Sequence, residues 1–214
     1  MTPGPLPVIW QVVHRKRLAL ANDLEMLAPG HWETPSLCPG WSVHDVLAHL
    51  VDTARTTRLG FVRRMFAAGF DFDKVSAVGL AGERCADPQQ TLAGDRRVLT
   101  RTSTPPAALP TRLMEAFVHG EDIRRPLGIR SDYPAAHVAT ALEYQVRTST
   151  KIGGGKELAA GFRLVASDTR FEHGTGEMVS GPVPSLLPAV SGRPLGVGEL
   201  SGPGAGAFVK HNAS

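Results

Sequence analysis

The sequence predicts a mainly α protein, in which a helical part over residues 1–152 is followed by a small α+β lobe over residues 153–214. Two observations indicate this fold class. Apolar residues recur at spacings of three and four through much of the first part, and strand-like composition appears only after residue 160. The triplet Gly153-Gly154-Gly155 separates the two compositions and is interpreted as a flexible linker.

Five amphipathic helices are predicted in the first part. The clearest start is at Ser42, an N-cap residue followed three positions later by Asp45, which together come close to a capping box. Asp87 followed by Pro88 is a second start signal. The expected helices cover residues 8–27, 43–68, 88–99, 109–125 and 135–150.

The second part combines short strands with loops. Residues 162–166 have strand composition, residues 168–176 resemble a turn, and residues 177–180 are expected to form the returning strand. A short helix is expected over residues 183–190. The many Gly and Pro residues from 181 onward predict loops rather than another long helix.

Composition and charge argue against several classes of protein. The net charge of +3 over 214 residues is small, so a dedicated nucleic-acid binder is not expected. The sequence has no run of about 18 apolar residues, so no membrane span is expected. The first seven residues lack the pattern of a signal peptide. Two cysteines, Cys38 and Cys85, are too few for a disulfide framework or a thiolate zinc cluster. A cytoplasmic protein without nucleic-acid or membrane partners is therefore expected.

Three side chains in two predicted helices have the composition of a metal site. Glu115 and His119 are four positions apart, so they lie one turn apart on one helix face. His49 lies within the second predicted helix. Two imidazoles and one carboxylate leave a coordination position open, which is typical of catalytic rather than structural zinc. A site of this composition has room for a substrate.

Neighbouring residues are assigned more modest roles. Asp45, Asp52 and Asp122 are all candidates for a carboxylate that orients a ligand imidazole, and sequence position does not choose among them. Trp41 and Cys38 are interpreted as core residues beside the helix start. His44 is expected to face solvent, and Arg124 and Arg125 are expected to interact with a helix C-terminus.

Two segments resemble the mycothiol-dependent maleylpyruvate isomerase family of the DinB-like superfamily. They are Cys-Pro-Gly-Trp-Ser-Val-His-Asp-Val-Leu-Ala-His at 38–49 and Val-His-Gly-Glu-Asp-Ile-Arg-Arg-Pro-Leu-Gly at 118–128. Leu-Val-Ala-Ser-Asp at 164–168 and Ser-Gly-Arg-Pro at 191–194 add a weaker resemblance. The resemblance implies a DinB-like four-helix bundle followed by a small α+β C-terminal lobe.

The same resemblance implies a metal, a thiol and a substrate site. A divalent metal, usually zinc, would be held by His49, Glu115 and His119, with mycothiol as cosubstrate. The family's C-terminal lobe contributes to the substrate pocket, where Arg193 is the residue expected to bind an anionic substrate. Many relatives carry Trp at the position of Glu121. This difference is expected to alter the wall of the pocket.

Three hypotheses follow for the function. The first is a maleylpyruvate isomerase-like enzyme, monomeric or homodimeric, in which a metal-bound thiolate attacks an electrophilic small molecule. The second is a mycothiol S-transferase, which shares the metal chemistry. The third, of another class, is a noncatalytic DinB-like module that binds a metal or a partner. Thiol-dependent turnover separates the first two hypotheses from the third.

Overall fold

Helices dominate the computed structural model of this chain, which describes residues 5–196 and 198–212. Residues 1–4, within the segment predicted not to be a signal peptide, lie outside the described residues. The chain divides into two units, one up to Arg130 and one from Ser131. Among the described residues, no helix is long and apolar enough to cross a membrane.

The first unit is a helical bundle. Helices α1, α2 and α5 pack with a fourth helix, in which α6 and α7 are joined by a π-helical turn at Glu115–His119. The shorter α3 and α4 connect α2 to α5, and α4 packs against α2. The helices are α1 (Pro5–Glu25), α2 (Val43–Arg55), α3 (Arg58–Ala67), α4 (Phe72–Glu83), α5 (Pro88–Arg96), α6 (Pro110–Met114) and α7 (Gly120–Arg124).

The start of α2 has the geometry that the sequence predicts. The Asp45 backbone N–H donates to Ser42 Oγ at 3.2 Å, and the Ser42 backbone N–H donates to Asp45 Oδ2 at 2.9 Å. This reciprocal pair is a complete capping box, which satisfies two backbone donors at the helix start. Asp87 likewise caps α5 by accepting a hydrogen bond from the Gln89 backbone N–H at 3.0 Å.

The single helix predicted over residues 43–68 is wrong. The chain leaves helical geometry at Thr56, whose hydroxyl donates to the Asp52 carbonyl at 2.8 Å, and restarts with Thr57 as the N-cap of α3. Threonine side chains bond to nearby backbone groups and so favour helix boundaries over helix interiors. Helix α4 was not predicted, although its N-cap, Asp71, has a typical capping side chain.

The second unit combines helices with a small sheet. The strand order is β2-β1-β3, in which β1 pairs antiparallel with β2 and parallel with β3. Residues 177–180 are therefore not the returning strand; β2 turns back from β1, and β3 adds to the other edge. The elements are α8 (Ala135–Gln145), β1 (Phe162–Ala166), β2 (Glu172–His173), β3 (Glu177–Gly181), α9 (Val183–Val190) and α10 (Ala205–Asn212).

The glycine triplet is packed rather than flexible. Gly154 and Gly155 are buried, and their N–H groups donate to the carbonyls of Ser149 and Gln145, each at 2.9 Å. A Cβ on Gly155 would collide with the Val190 carbonyl, so a residue without a side chain is needed there. The two compact units divide after residue 130, because α8 packs on α9. The domain boundary after residue 152 stays a prediction.

Asp95 on α5 is a buried carboxylate whose pKa depends on its packing. It is 3% exposed, and its Oδ2 atom accepts no hydrogen bond among the described residues. Burial raises the pKa of Asp95 from 3.8 to about 6, against the opposing attraction of Arg17 and Arg96. The folded state thus binds this proton more tightly than the unfolded chain does. The resulting stability is present below about pH 3.8 and is lost as pH rises through about 6.

We expect Asp95→Asn to remove this loss. The free energy of unfolding is measured by urea denaturation between pH 4 and pH 8. The value for the variant relative to that for the wild type should increase as pH rises, by at most roughly 3 kcal/mol. Asp132→Asn removes the same charge at an exposed site and is the control. Parallel pH profiles for wild type and Asp95→Asn would contradict the assigned role of burial.

Candidate metal centre

The three residues predicted to bind a metal lie together inside the helical bundle. His49 projects from α2, whereas Glu115 and His119 project from the π-helical turn between α6 and α7. Glu115 Oε2 is 3.7 Å from His49 Nε2 and 3.9 Å from His119 Nε2. One ligand atom from each residue lies within 4.8 Å of the other two. Two imidazole nitrogens and a carboxylate oxygen therefore converge on one small volume.

The turn that carries Glu115 and His119 is wider than an α-helix. Helical backbone continues on both sides of it, so the π-helical geometry is a local insertion within one long helix. Such insertions are rare and occur often at functional sites, because they change the direction of side chains without ending the helix. Here the insertion contains both ends of the Glu-x-x-x-His pair.

The polar atoms at the centre fit a cation. Glu115 Oε2 is buried, and no described residue donates a hydrogen bond to it. Its other oxygen, Oε1, is 3.5 Å from Nη2 of Arg112, which is 3% exposed. A buried carboxylate oxygen without a donor is costly in a protein interior, and a metal ion would satisfy it. The residues present therefore fit a bound divalent metal.

His119 is held from the far side of its ring by Asp122. The distance from His119 Nδ1 to Asp122 Oδ2 is 2.9 Å, and Asp122 is fully buried. Because an ionised carboxylate only accepts, Nδ1 carries the proton of this hydrogen bond. The other ring nitrogen, Nε2, faces Glu115. Carboxylates in this position orient metal-binding imidazoles in many proteins.

His49 is packed between an aromatic ring and the second imidazole. Its ring centroid lies 5.0 Å from that of Trp41 and 5.0 Å from that of His119. Burial lowers the pKa of His49 to about 4, because the charged imidazolium is poorly solvated there. The neutral imidazole, which is the metal-binding form, therefore predominates at neutral pH.

The other two groups remain charged. Burial alone would lower the pKa of His119, but its hydrogen bonds to Asp122 and Cys38 and the charge of Glu115 raise it to about 10. Burial alone would raise the pKa of Glu115, but the nearby Arg112 and the two imidazoles outweigh this effect and lower it. The site thus holds an ionised carboxylate beside a cationic imidazole.

Of the three aspartates considered as orienting groups, only Asp122 contacts a predicted ligand among the described residues. Asp45 caps α2 and pairs with Arg84, whose Nε donates to Asp45 Oδ1 at 2.6 Å. Asp52 pairs with Arg64, whose Nη1 donates to Asp52 Oδ1 at 2.7 Å. Both aspartates thus stabilise the bundle through arginines, a role that sequence position alone does not reveal.

His44 does not face solvent, so that prediction is wrong. Its ring is fully buried, and its Nε2 makes a 2.8 Å hydrogen bond with Thr91 Oγ1 on α5. The turn of α2 that carries His44 faces α5, which the sequence of α2 does not show. Arg124 is also fully buried, and its Nε donates to Asp23 Oδ2 on α1 at 2.7 Å.

Sequence reasoning missed two residues near the centre. Arg112 was not considered, although it lies three positions before Glu115, a spacing that places two side chains on one helix face. Cys38 was interpreted only as a packing residue. It is buried, and its Sγ donates to Asp122 Oδ2 at 3.0 Å.

Two further predicted features lie outside the cluster itself. Glu121 pairs with Arg125, whose Nε donates to Glu121 Oε2 at 2.8 Å, so this carboxylate is held along its own helix. Arg193 belongs to the second unit, where its Nη1 donates to the Ser191 carbonyl at 2.7 Å. Its role in binding an anionic substrate stays a prediction.

Comparisons with known proteins agree with the motifs. Residues 13–98 match the family model described as the mycothiol maleylpyruvate isomerase N-terminal domain. No curated protein matches the chain.

Among solved structures, the chain is similar to the mycothiol-dependent maleylpyruvate isomerase, with 16% identity over 94% of each chain and a TM-score of 0.67. A variant of that enzyme with one histidine replaced by alanine gives 15% identity, the same coverage and a TM-score of 0.66. The similarity confirms the predicted fold class, a mainly helical DinB-like protein with a small α+β part. The family model that matches residues 13–98 agrees with the resemblance that the motifs indicate.

Proposed function

We propose that this protein is a metal-dependent enzyme of the maleylpyruvate isomerase type that uses mycothiol against an electrophilic small molecule in the cytoplasm. The observation that carries the proposal is the convergence of His49, Glu115 and His119 around a buried Glu115 oxygen that has no hydrogen-bond donor in the part of the chain that the structure describes. The family of the N-terminal domain supports a thiol cosubstrate. Zinc is the metal that we propose, because two imidazoles and one carboxylate are a ligand set of known catalytic zinc sites.

The side chains have distinct roles in this proposal. His49, Glu115 and His119 would hold the metal, and Asp122 would keep His119 Nε2 directed towards it. A divalent metal bound there would supply Lewis acidity, which lowers the pKa of a thiol and favours its thiolate near neutral pH. Arg112 holds a positive charge beside Glu115 and so keeps that carboxylate ionised. No cysteine of the chain is then needed as nucleophile.

Two reactions of a thiolate are compatible with this site. In an isomerisation, the sulfur adds to one carbon of an activated double bond, the resulting single bond rotates, and loss of the same sulfur restores the double bond. In an S-transfer, a carbon–sulfur bond forms as a leaving group departs, and the sulfur stays on the product. The first reaction regenerates the thiol and the second consumes it. We favour isomerisation because the two solved structures to which this chain is similar are those of a maleylpyruvate isomerase.

Metal binding should depend on the three clustered residues. We expect wild-type protein without an affinity tag to bind about one zinc per chain, measured by elemental analysis after dialysis. His49→Ala and Glu115→Ala should weaken binding by roughly 100-fold or more, because each removes a ligand. His31→Ala, at an exposed histidine, is the matched control and should bind like the wild type. Equal zinc content in all four proteins would contradict the assigned ligands.

Turnover should require thiol and an intact cluster. We expect conversion of maleylpyruvate to its geometric isomer only when mycothiol is present, with the free thiol concentration unchanged at completion. Glu115→Gln preserves size and should lower kcat/KM by about 100-fold or more, because it removes the charge that holds the metal. Consumption of one thiol per product would identify an S-transferase. Retained zinc without thiol binding or turnover would favour the noncatalytic module.

Arg193 should act on charged substrates alone. We expect Arg193→Ala to raise KM for an anionic electrophile about 10-fold, consistent with the loss of a charge-assisted hydrogen bond. KM for a neutral electrophile and the zinc content should not change. Arg170→Ala removes an exposed arginine of the same unit and serves as the control. Equal effects of Arg193→Ala on both electrophiles would contradict a role in anion binding.

A further inference from the structure

Asp122 receives two donors at one oxygen atom. His119 Nδ1 lies 2.9 Å from Asp122 Oδ2, and Cys38 Sγ lies 3.0 Å from the same atom. The sulfur is also 3.7 Å from His119 Nδ1, so the three side chains form a closed triangle. Both Asp122 and Cys38 are buried. These two hydrogen bonds therefore help to fix the direction of the carboxylate, and with it that of the His119 ring.

The short segment around Cys38 is itself fixed to this helix. The Leu37 backbone N–H donates to the Asp122 carbonyl at 3.1 Å, and the Cys38 backbone N–H donates to Ser36 Oγ at 3.1 Å. Trp41, three residues after Cys38, packs on the His49 ring. The 36–41 segment thus contacts one predicted ligand through Asp122 and another directly.

Cys38 is poorly placed to ligate the metal that the main cluster would hold. It lies beside Nδ1 of His119, whereas Glu115 lies beside Nε2 of the same ring. The two nitrogens of an imidazole point in widely different directions, so an ion bound at Nε2 is out of reach of Cys38. Cys38, His119 and Asp122 do form a second group with metal-ligand spacing. Metal binding by that group would require the loss of the Cys38 S–H proton and the His119 Nδ1–H proton. Both hydrogen bonds to Asp122 Oδ2 would then be broken.

We propose that Cys38 is a positioning residue of the metal centre, acting as an S–H donor that orients Asp122 and thereby the Nε2 atom of His119. The inference rests on the proposed function, because it concerns the affinity of the same site. Outer groups that orient a ligand imidazole contribute about 10- to 100-fold to metal affinity. A thiol is a weak donor, so we expect the effect of Cys38 at the lower end of that range.

Zinc affinity in matched variants tests this role. Metal-free wild type, Cys38→Ala, Cys38→Ser and Cys85→Ala are titrated with zinc against a chromophoric chelator. We expect Cys38→Ala to weaken zinc binding about 10-fold. Cys38→Ser should restore most of this loss, because the hydroxyl keeps a donor at the same position. Cys85→Ala should bind like the wild type, since Cys85 Sγ contacts the Glu83 carbonyl at 3.8 Å, outside the site.

Each contrary outcome has a specific meaning. Unchanged affinity in Cys38→Ala would overturn the proposal, as would equal losses in the alanine and serine variants, which would indicate packing rather than donation. A sulfur-to-cobalt charge-transfer band in cobalt-loaded wild type, absent from Cys38→Ala, would show that Cys38 is a ligand and would also overturn it.

The hydrogen-bond network can be tested without metal. In the metal-free protein, the His119 Nδ1 proton should give a downfield resonance by NMR that shifts in Cys38→Ala and returns towards its wild-type position in Cys38→Ser. A wild type that binds no zinc would refute the proposed function, whereas an Nδ1 resonance that is identical in the wild type and Cys38→Ala would refute the role of Cys38. The two failures are therefore distinguishable.

Discussion

The centre of the bundle depends on the electrostatic interactions of the Glu115 carboxylate. This group lies between two imidazoles and the buried guanidinium of Arg112. A buried negative charge is costly unless positive groups surround it. Arg112 supplies one positive charge, and His119, with a pKa near 10, supplies a second when no metal is bound. These charges balance those of Glu115 and Asp122, while His49 stays neutral. A bound divalent cation would take over the role of the His119 proton, so the centre is electrostatically prepared for a metal.

Several elements of the bundle position these side chains, and each does so in a different way. Helix α2 carries His49 on the face packed towards α7, and its capping box fixes where the helix begins. The π-helical turn sets the directions of Glu115 and His119. Asp45 and Asp52 pair with Arg84 and Arg64 from other segments and so keep α2 in place without contacting the clustered side chains. The ligand geometry therefore depends on side chains that take no part in metal binding.

The sequence predicts which side chains cluster better than it predicts their surroundings. Local helical spacing places Glu115 and His119 together, and the motif at 38–49 indicates His49 as the third member. Their role as metal ligands stays a prediction. The choice of Asp122 over Asp45 and Asp52 could not be made, because it depends on Arg84 and Arg64 from later segments of the chain. His44 was predicted on the wrong side for a related reason: Thr91 comes from a helix 47 residues further along.

The glycine triplet shows the same limit, because a packed turn and a flexible linker have the same composition, and only the contacts with Gln145 and Val190 distinguish them. Contacts between distant segments also limit what the match to the family model implies for function. The matched domain ends at residue 98, before the Glu-x-x-x-His pair, and the structural similarity at 16% identity concerns the fold. The strongest argument for a metal is thus internal to this chain: the convergence of two imidazoles on the buried Glu115 Oε2 atom, for which the described residues offer no hydrogen-bond donor. Replacing Glu115 alone with an apolar residue would leave Arg112 and His119 without their counter-charge, so this carboxylate also stabilises the folded bundle.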